Sequence, residues 1–447
     1  MLVNIHKSMT LLLLASLSVL SAGGQSLGLE DCLNQANAHS KSMQLSRNQV
    51  AIGKERLQEV QAGFLPKVQG NVDYKYFTQL PYQLLPLSVF GGPAGQFREA
   101  QFGVPHNINA QLQLSMPLYN AQLVAAAQSA RLGSEMAEVQ HQKSSEQLYA
   151  EITVLYHNAQ LLGHQMLLLD SNLLQAEQLL QQVRLMQSQG MARTTDVEQV
   201  RLQLAELQLQ RQQAANAREQ LLNVLTIAIG KPISDPLEVE PLPTTLPGRP
   251  TSQSATTSTE LRLYQLKQQL AERELRSLRT SRWTPNLHLI AAYGTTGFGY
   301  DQQPNDFLRF YPIGFAGLQL QYPLFNGTAT QRKINTKKLE VDNSRLQLAL
   351  LSDQQTVQLQ NAHLDRLLAE QSIQNRSEQL VLARNIDAQT RLRHGQGTAS
   401  LTDLLLADQA RRQAEQQHLA ALVAVLKADL EIKRLQGQLQ FKANPLP

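Results

Sequence analysis

The sequence has a single cysteine, Cys32, so no disulfide can form within the chain. Leu29, Glu30 and Asp31 precede it and do not supply the small, apolar approach that lipid attachment needs, so Cys32 reads as a plain helix residue. Aromatic residues are few, at 5%, and 40 Lys and Arg nearly balance 36 Asp and Glu. That balance leaves neither a basic footprint for nucleic acid nor an acidic tail. Also missing are HExxH, a paired CxxC, a phosphate-binding Gly-Lys-Ser/Thr loop and GxSxG. His157 and His164 lie two helical turns apart, too far to share a metal without other ligands. The expectation is a protein that is not an enzyme, with no cofactor and no metal.

Long apolar runs are lacking except at the start. Lys7 is followed by "MTLLLLASLSVL" and then by the small residues of "SAGGQ", the layout of a secretory signal and too short to span a membrane as a helix. Ala22 and Gly24 fit the positions before a cut, so residues 1–24 are expected to be a cleaved signal peptide. No other stretch approaches a transmembrane helix, so the mature chain is exported and is soluble or inserted in some other way.

What is present is a repeat. "QLQLSMPLYN" ends at Asn120 and "GLQLQYPLFN" at Asn326. Pro66 in "GFLPKVQG" answers to Pro285 in "RWTPNLHL", with Phe64 and Trp283 each two residues earlier. Downstream, "RLMQSQGMARTTD" ending at Asp196 answers to "RLRHGQGTASLTD" ending at Asp403, and Gly230 answers to Gly437. Self-matches in one order indicate a tandem duplication, which decides architecture before any local feature does.

Each copy holds two alternating segments. Val68, Gly70, Val72, Tyr74 and Tyr76 alternate with Gln69, Asn71, Asp73 and Lys75. Ile108, Ala110, Leu112, Leu114 and Met116 alternate with Asn107, Asn109, Gln111, Gln113 and Ser115. The second copy is less regular: Leu287, Leu289, Ala291 and Tyr293 share one face, and Leu318, Leu320 and Tyr322 share one face of the partner. Period-two alternation predicts strands with one apolar and one wet face, of the length a tilted transmembrane strand requires. Phe64, Tyr119, Trp283 and Phe325 lie at the helix-proximal ends of these strands, where an interfacial aromatic girdle would sit.

From Asn120 to Gln189 no proline occurs and the only glycines are Gly133 and Gly163, which predicts a helix of roughly 105 Å. Leu155, Ala159, Leu162, Met166, Leu169, Leu173, Ala176, Leu180 and Val183 form a heptad seam along it, read as a coiled-coil contact. Prolines cluster instead in the connector after Gly230. The chain thus divides into an N-terminal helix (25–65), β-hairpin 1 (66–118), helical hairpin 1 (119–230) and a Pro-rich connector (231–257). A further helix (258–284), β-hairpin 2 (285–324), helical hairpin 2 (325–437) and a tail (438–447) complete it. The loops from Gln79 to His106 and from Gly299 to Phe310 are too short for a large extracellular domain. At the helical tips, Ser400 with Asp403 and Thr195 with Glu198 fit a capping box.

Four transmembrane strands cannot close a barrel, and open edges are not tolerated in lipid, so the chain must oligomerise to insert. Two chains give eight strands, an interior that side chains fill; three give twelve and a wet conduit, which the long Gln-rich helices favour.

The duplicated hairpins ending in Pro117 and Pro323, the helical pairs, the tips at Gly190 and Gly397 each followed six residues later by an aspartate, and the C-terminal "KADLEIKRLQG" resemble the TolC family of bacterial outer-membrane efflux and secretion channels. The resemblance runs from Leu29 to Gly437. It implies a homotrimer in which four strands per chain build a twelve-stranded outer-membrane β-barrel, while long antiparallel coiled-coil helices form a periplasmic α-barrel. Pro66, Pro117, Pro285 and Pro323 would mark strand–helix junctions, and the Pro-rich connector would join an equatorial belt. The tips would close the periplasmic entrance, with Asp403 and Asp196 lining it. Where the best-studied member has a latching tyrosine and arginine, His394 and Ala399 stand here; Arg193 and Asp196 on the other tip are candidate partners for His394. The implied role is the passive exit duct of a tripartite efflux pump or type I secretion system in the outer membrane of a Gram-negative bacterium. A periplasmic adaptor and an inner-membrane transporter of RND, ABC or related type would be its partners. The alternative from the residues alone is a soluble periplasmic coiled-coil scaffold or transporter adaptor. The cargo is not legible.

Overall fold

A computed structural model describes residues 26–101, 103–242, 258–300, 308–325, 327–439 and 441. The expected signal peptide, most of the Pro-rich connector and most of the tail lie outside them. The described chain runs α1 (Leu29–His39), α2 (Lys41–Ala62), β1 (Lys67–Tyr76), β2 (Tyr82–Pro86), β3 (Phe97–Gln101), β4 (His106–Tyr119), α3 (Ala121–Ser188) and α4 (Thr194–Ala228). It continues with α5 (Thr259–Ser281), β5 (Asn286–Gly299), β6 (Leu308–Gln321), α6 (Ala329–Gly395) and α7 (Leu401–Leu435). Two compact units divide it: Ala51–Ala137 with Gln265–Gln347, and Met1–Val50 with Glu138–Tyr264 and Leu348–Pro447.

The first of these holds a four-stranded antiparallel sheet in the order β1-β4-β5-β6. Alternation is expressed as expected. Gly70 pairs with Leu112, Leu112 with Tyr293 and Tyr293 with Gly314, so the apolar rows share one face. That face is open: Val72, Leu112, Tyr293 and Leu318 are 76%, 58%, 71% and 65% exposed. The opposite face changes character across the sheet. Asn71 pairs with Gln111, but the row then reaches Gly294 and Ile313, and Tyr311, Ile313 and Phe315 stand exposed there. β1 and β6 each leave one edge unpaired.

Three sequence-level expectations need adjustment. The first loop contains its own small hairpin, β2–β3, which its irregular pattern did not signal. Pro117 lies inside β4, where the register slips between Pro117 and Tyr119, rather than at the junction itself; Asn120 then caps α3, its Oδ1 accepting from the N–H groups of Gln122 and Leu123. Pro66 and Pro285 directly precede β1 and β5, and Pro323 follows β6. Third, the single N-terminal helix is two, broken at the extended residue Ser40.

That break packs into the other unit's main core. Cys32, Leu33, Ala36 and Met43 meet Leu148, Ile152, Tyr156, Leu225 and Ile229, with Leu237 and Val239 of the connector closing over them. The Tyr156 hydroxyl donates to the Leu27 carbonyl at 3.0 Å, and Leu27 bridges Val239 in parallel. Burial pushes the Cys32 thiol up to about 11, so it is a small core hydrophobe with little thiolate to react. On α3 the seam is buried in part: Ala159, Leu169, Ala176, Leu180 and Val183 are all under 9% exposed, while Leu155, Leu162, Met166 and Leu173 are half-buried.

The long helices end alike. In a Schellman turn the N–H beyond the left-handed residue bonds back five residues. Met191 bonds Met186, Lys231 bonds Thr226, Thr398 bonds Arg393 and Gln438 bonds Lys433, with Gly190, Gly230, Gly397 and Gly437 all at positive φ. At Gly230 a second constraint applies, since a Cβ there would meet the His39 carbonyl oxygen at 2.4 Å. Gly230→Ala should therefore destabilise the protein by about 1–3 kcal/mol through backbone strain and clash. Gly133→Ala, mid-helix with open space around it, should be neutral or stabilise by up to about 1 kcal/mol. Equal denaturant midpoints for the two variants would contradict this packing.

Candidate functional site at the hairpin tips

The tips are built by helix endings. After Gly190 the chain has three residues before α4, and Arg193 becomes its N-cap, its N–H donating to Asp196 Oδ2 at 2.9 Å. After Gly397 the same three-residue step makes Ser400 the N-cap of α7. The Ser400 N–H donates to Asp403 Oδ2 at 3.0 Å, and the Asp403 N–H to Ser400 Oγ at 3.1 Å. The capping box expected at Ser400 and Asp403 forms. The one expected at Thr195 and Glu198 does not: Thr195 is already helical, the third helical residue is Asp196, and Glu198 instead pairs with Arg201 at 2.8 Å.

His394 Nδ1 donates to the Ala399 carbonyl at 3.0 Å within its own tip. Asp403 is exposed, and the Ser400 hydroxyl and N–H hold its carboxyl below the usual aspartate range. Among the described residues, no hydrogen bond or ion pair of Arg193, Asp196, His394 or Asp403 crosses from one tip to the other. In one chain the tips are joined by packing. Leu180 and Val183 of α3, Val197 and Val200 of α4, and Leu401 and Leu404 of α7 form one cluster.

Behind the tips lies a feature that the sequence reading missed. Asp387, Asp408 and Glu415, each under 9% exposed, face four arginines. Arg391 contacts Asp387 at 2.8 Å and Asp408 at 2.9 Å, and Arg411 contacts Asp408 at 2.9 Å and Glu415 at 3.0 Å. Arg384 reaches Glu415 at 3.3 Å, and Arg412 pairs closely with Asp408. Asn172 of α3 and Gln203 of α4 close the set, accepting from Arg411 at 2.8 Å and donating to Asp408 at 3.0 Å. Burial works against the Arg411 charge, yet Asp408, Glu415 and Asp387 hold its pKa above the ordinary value. A buried network of this kind adds little net stability, but removing one member strands the others, and through Asn172 and Gln203 it links the two helical hairpins. One signal was legible: Asn172 is a polar residue on the buried side of the α3 seam.

With the geometry in hand, comparison with solved structures identifies the fold. The outer membrane protein VceC from Vibrio cholerae superposes with a TM-score of 0.75 at 14% identity, over 92% of this chain and 96% of that one. The Campylobacter jejuni CmeC outer membrane channel gives 0.76 at 15% identity, over 92% and 85%. The open state of the Neisseria gonorrhoeae MtrE outer membrane channel gives 0.68 at 17%, over 92% and 88%. No family model matches the sequence, and no curated protein matches it significantly.

Because Asp403 is held below its ordinary value of 3.8, the cap supplies stability above that pH and loses it as the pH falls through the depressed value. The thermal midpoint of wild type should exceed that of Ser400→Ala above pH 4, and the gap should shrink as Asp403 protonates. A gap unchanged down to about pH 2 would contradict the cap.

Proposed function

We propose that this chain, which has the fold of the TolC-family outer-membrane channels, is the passive exit duct of a tripartite efflux or type I secretion system in a Gram-negative outer membrane. It works as a homotrimer, has no enzymatic activity, and takes its partners from the periplasmic adaptors and inner-membrane transporters. The observation that carries this is the sheet: one face apolar and open, two edges unpaired. In water such a face and such edges would drive aggregation; in lipid the edges are not tolerated. Both problems disappear when β6 of one copy pairs with β1 of the next until the sheet closes. Three copies give twelve strands, enough to leave a lumen.

The helices support the same assembly. On α6, Leu339, Leu346, Leu350, Val357, Leu364 and Leu367 recur at steps of seven, four, seven, seven and three, and all are more than half exposed. A heptad seam left open in one chain is a surface for a second copy. In the trimer the tips around Gly190 and Gly397 converge as the periplasmic entrance, with Asp403, whose hydrogen bonds among the described residues are all within its own cap, lining it.

Replacing Leu112 or Leu114 by Arg should abolish assembly in the outer membrane. A cation on the lipid face costs roughly 2–4 kcal/mol per copy near mid-membrane, and a trimer carries three. Gln113→Arg should assemble, because its side chain points to the lumen. Equal trimer yields for Leu114→Arg and Gln113→Arg, or release of the wild type from membranes by salt alone, would overturn the reading. In planar bilayers, Asp403→Ala should lower cation selectivity, since three copies of one carboxylate concentrate negative potential at a narrow mouth. Unchanged selectivity would remove Asp403 from the entrance.

A further inference from the structure

Where α5 runs into β5 and β6 runs into α6, the chain forms a cavity of about 350 Å³. Arg282, Trp283, Tyr322, Phe325, Thr328 and Gln331 line it. We propose that this cavity holds the phosphate of an anionic phospholipid, an inference that rests on the sheet crossing the outer membrane.

The charge points to an anion. From Arg276 to Lys338 the only acidic residues are Asp301 and Asp306, both in the sequence between β5 and β6. Arg276 and Arg279 lie in the last turns of α5 and Arg282 directly follows it, at steps of three, and Arg332 and Lys333 lie in the first turn or so of α6. Farther along α6, Lys337 pairs with Glu274 and Glu340, both within 3 Å, and Arg345 with Glu272 at 3.0 Å. Nearest the sheet, no carboxylate among the described residues pairs with Arg282, Arg332 or Lys333. The equivalent junction of the first hairpin lacks this excess, since Glu55 and Glu59 accompany Lys54 and Arg56 on α2.

Arg282 is already posed. Its guanidinium stacks 5.0 Å from the Trp283 ring centroid, and Nη1 donates to Gln331 Oε1 at 2.9 Å, which fixes its plane and leaves donors free for a phosphate. At the cavity's rim, Gly327 and Thr328 are consecutive left-handed residues, and Thr328 is the only non-glycine residue at positive φ among those described. Such strain persists where the surroundings require it and gathers at ligand sites.

The apolar part distinguishes a lipid from a free ion. Trp283 and Phe325 are 67% and 85% exposed, and Leu318 and Leu320 carry the open apolar face of the sheet up to this point. A cation beside amphipathic rings at the end of a lipid-facing strand matches a phospholipid, with its phosphate on Arg282 and its acyl chains along the strand.

Trp283 is the only tryptophan, so its fluorescence reports this cavity alone. The full-length protein would be reconstituted in phosphatidylcholine vesicles containing the same minor fraction of brominated phosphatidylglycerol or brominated phosphatidylcholine. Quenching by the brominated phosphatidylglycerol should be several-fold greater, and Arg282→Gln should reduce it to the phosphatidylcholine level. Arg282→Lys, which keeps the charge but not the stacked plane, should fall between. Should Arg282→Gln fail to assemble, the wild-type contrast between the two lipids still decides. Equal quenching by both lipids would overturn the headgroup site while leaving the membrane reading intact. Reversal of the contrast by inorganic phosphate would assign the cavity to the free ion instead. No quenching by either lipid would overturn the membrane reading itself.

Discussion

Two unpaired sheet edges constrain everything else in this molecule. On the reading proposed above, the open apolar face of the four-stranded sheet meets lipid; in lipid every backbone N–H and C=O must be bonded, so β1 and β6 would need partners from outside the sheet. Copies of the same chain are the economical source. Once edges pair between copies, the neighbouring helices are brought alongside one another, and the leucines left open on α6 gain a surface to cover. In the proposed assembly, sheet closure and helix packing would thus be two consequences of one unmet demand.

The duplication supplies the parts in pairs, and the pairs have diverged where chemistry differs. All four long-helix endings solve the same problem in the same way, with a left-handed glycine and a bond back five residues. The caps that follow do not match: Ser400 makes a full reciprocal box with Asp403, whereas Arg193 offers only its N–H to Asp196. The buried ionic set draws its three carboxylates and four arginines from α6 and α7, while α3 and α4 contribute neutral amides. One hairpin supplies the charge and the other receives it, which ties the two together without duplicating a costly buried site. The β-hairpins diverge too, since only the second has an apolar row on the sheet's opposite face and an unmatched basic cluster on its flanking segments.

Much of this was legible before any coordinates. Alternation from Val68 to Tyr76 and from Ile108 to Met116 registers the strands, because a slip of one residue would turn every side chain over. Glycines placed alike in both copies mark the helix ends. The failures are instructive for the same reason. Thr195 and Glu198 match a capping template, but the repeat aligns Asp196 with Asp403, and that alignment was the better guide. Ser40 breaks a helix with no proline or glycine to announce it, because tertiary contact with the Gly230 turn imposes the break. Asp408, Arg411, Arg412 and Glu415 have the spacing of an ordinary solvated helix face, and only the partner hairpin buries them. Asp403 and His394 were recognisable as tip residues, yet their contacts in one chain are local, so the entrance role proposed for them could arise only in the assembled oligomer.

The central claim is that chains close one sheet by joining β6 to β1 around a threefold axis. Native mass spectrometry of the full-length protein, extracted from membranes in mild detergent, tests it directly. The account predicts one species with the mass of three mature chains, persisting under conditions that strip bound detergent. A monomer, or a dimer that persists under those conditions, would contradict it.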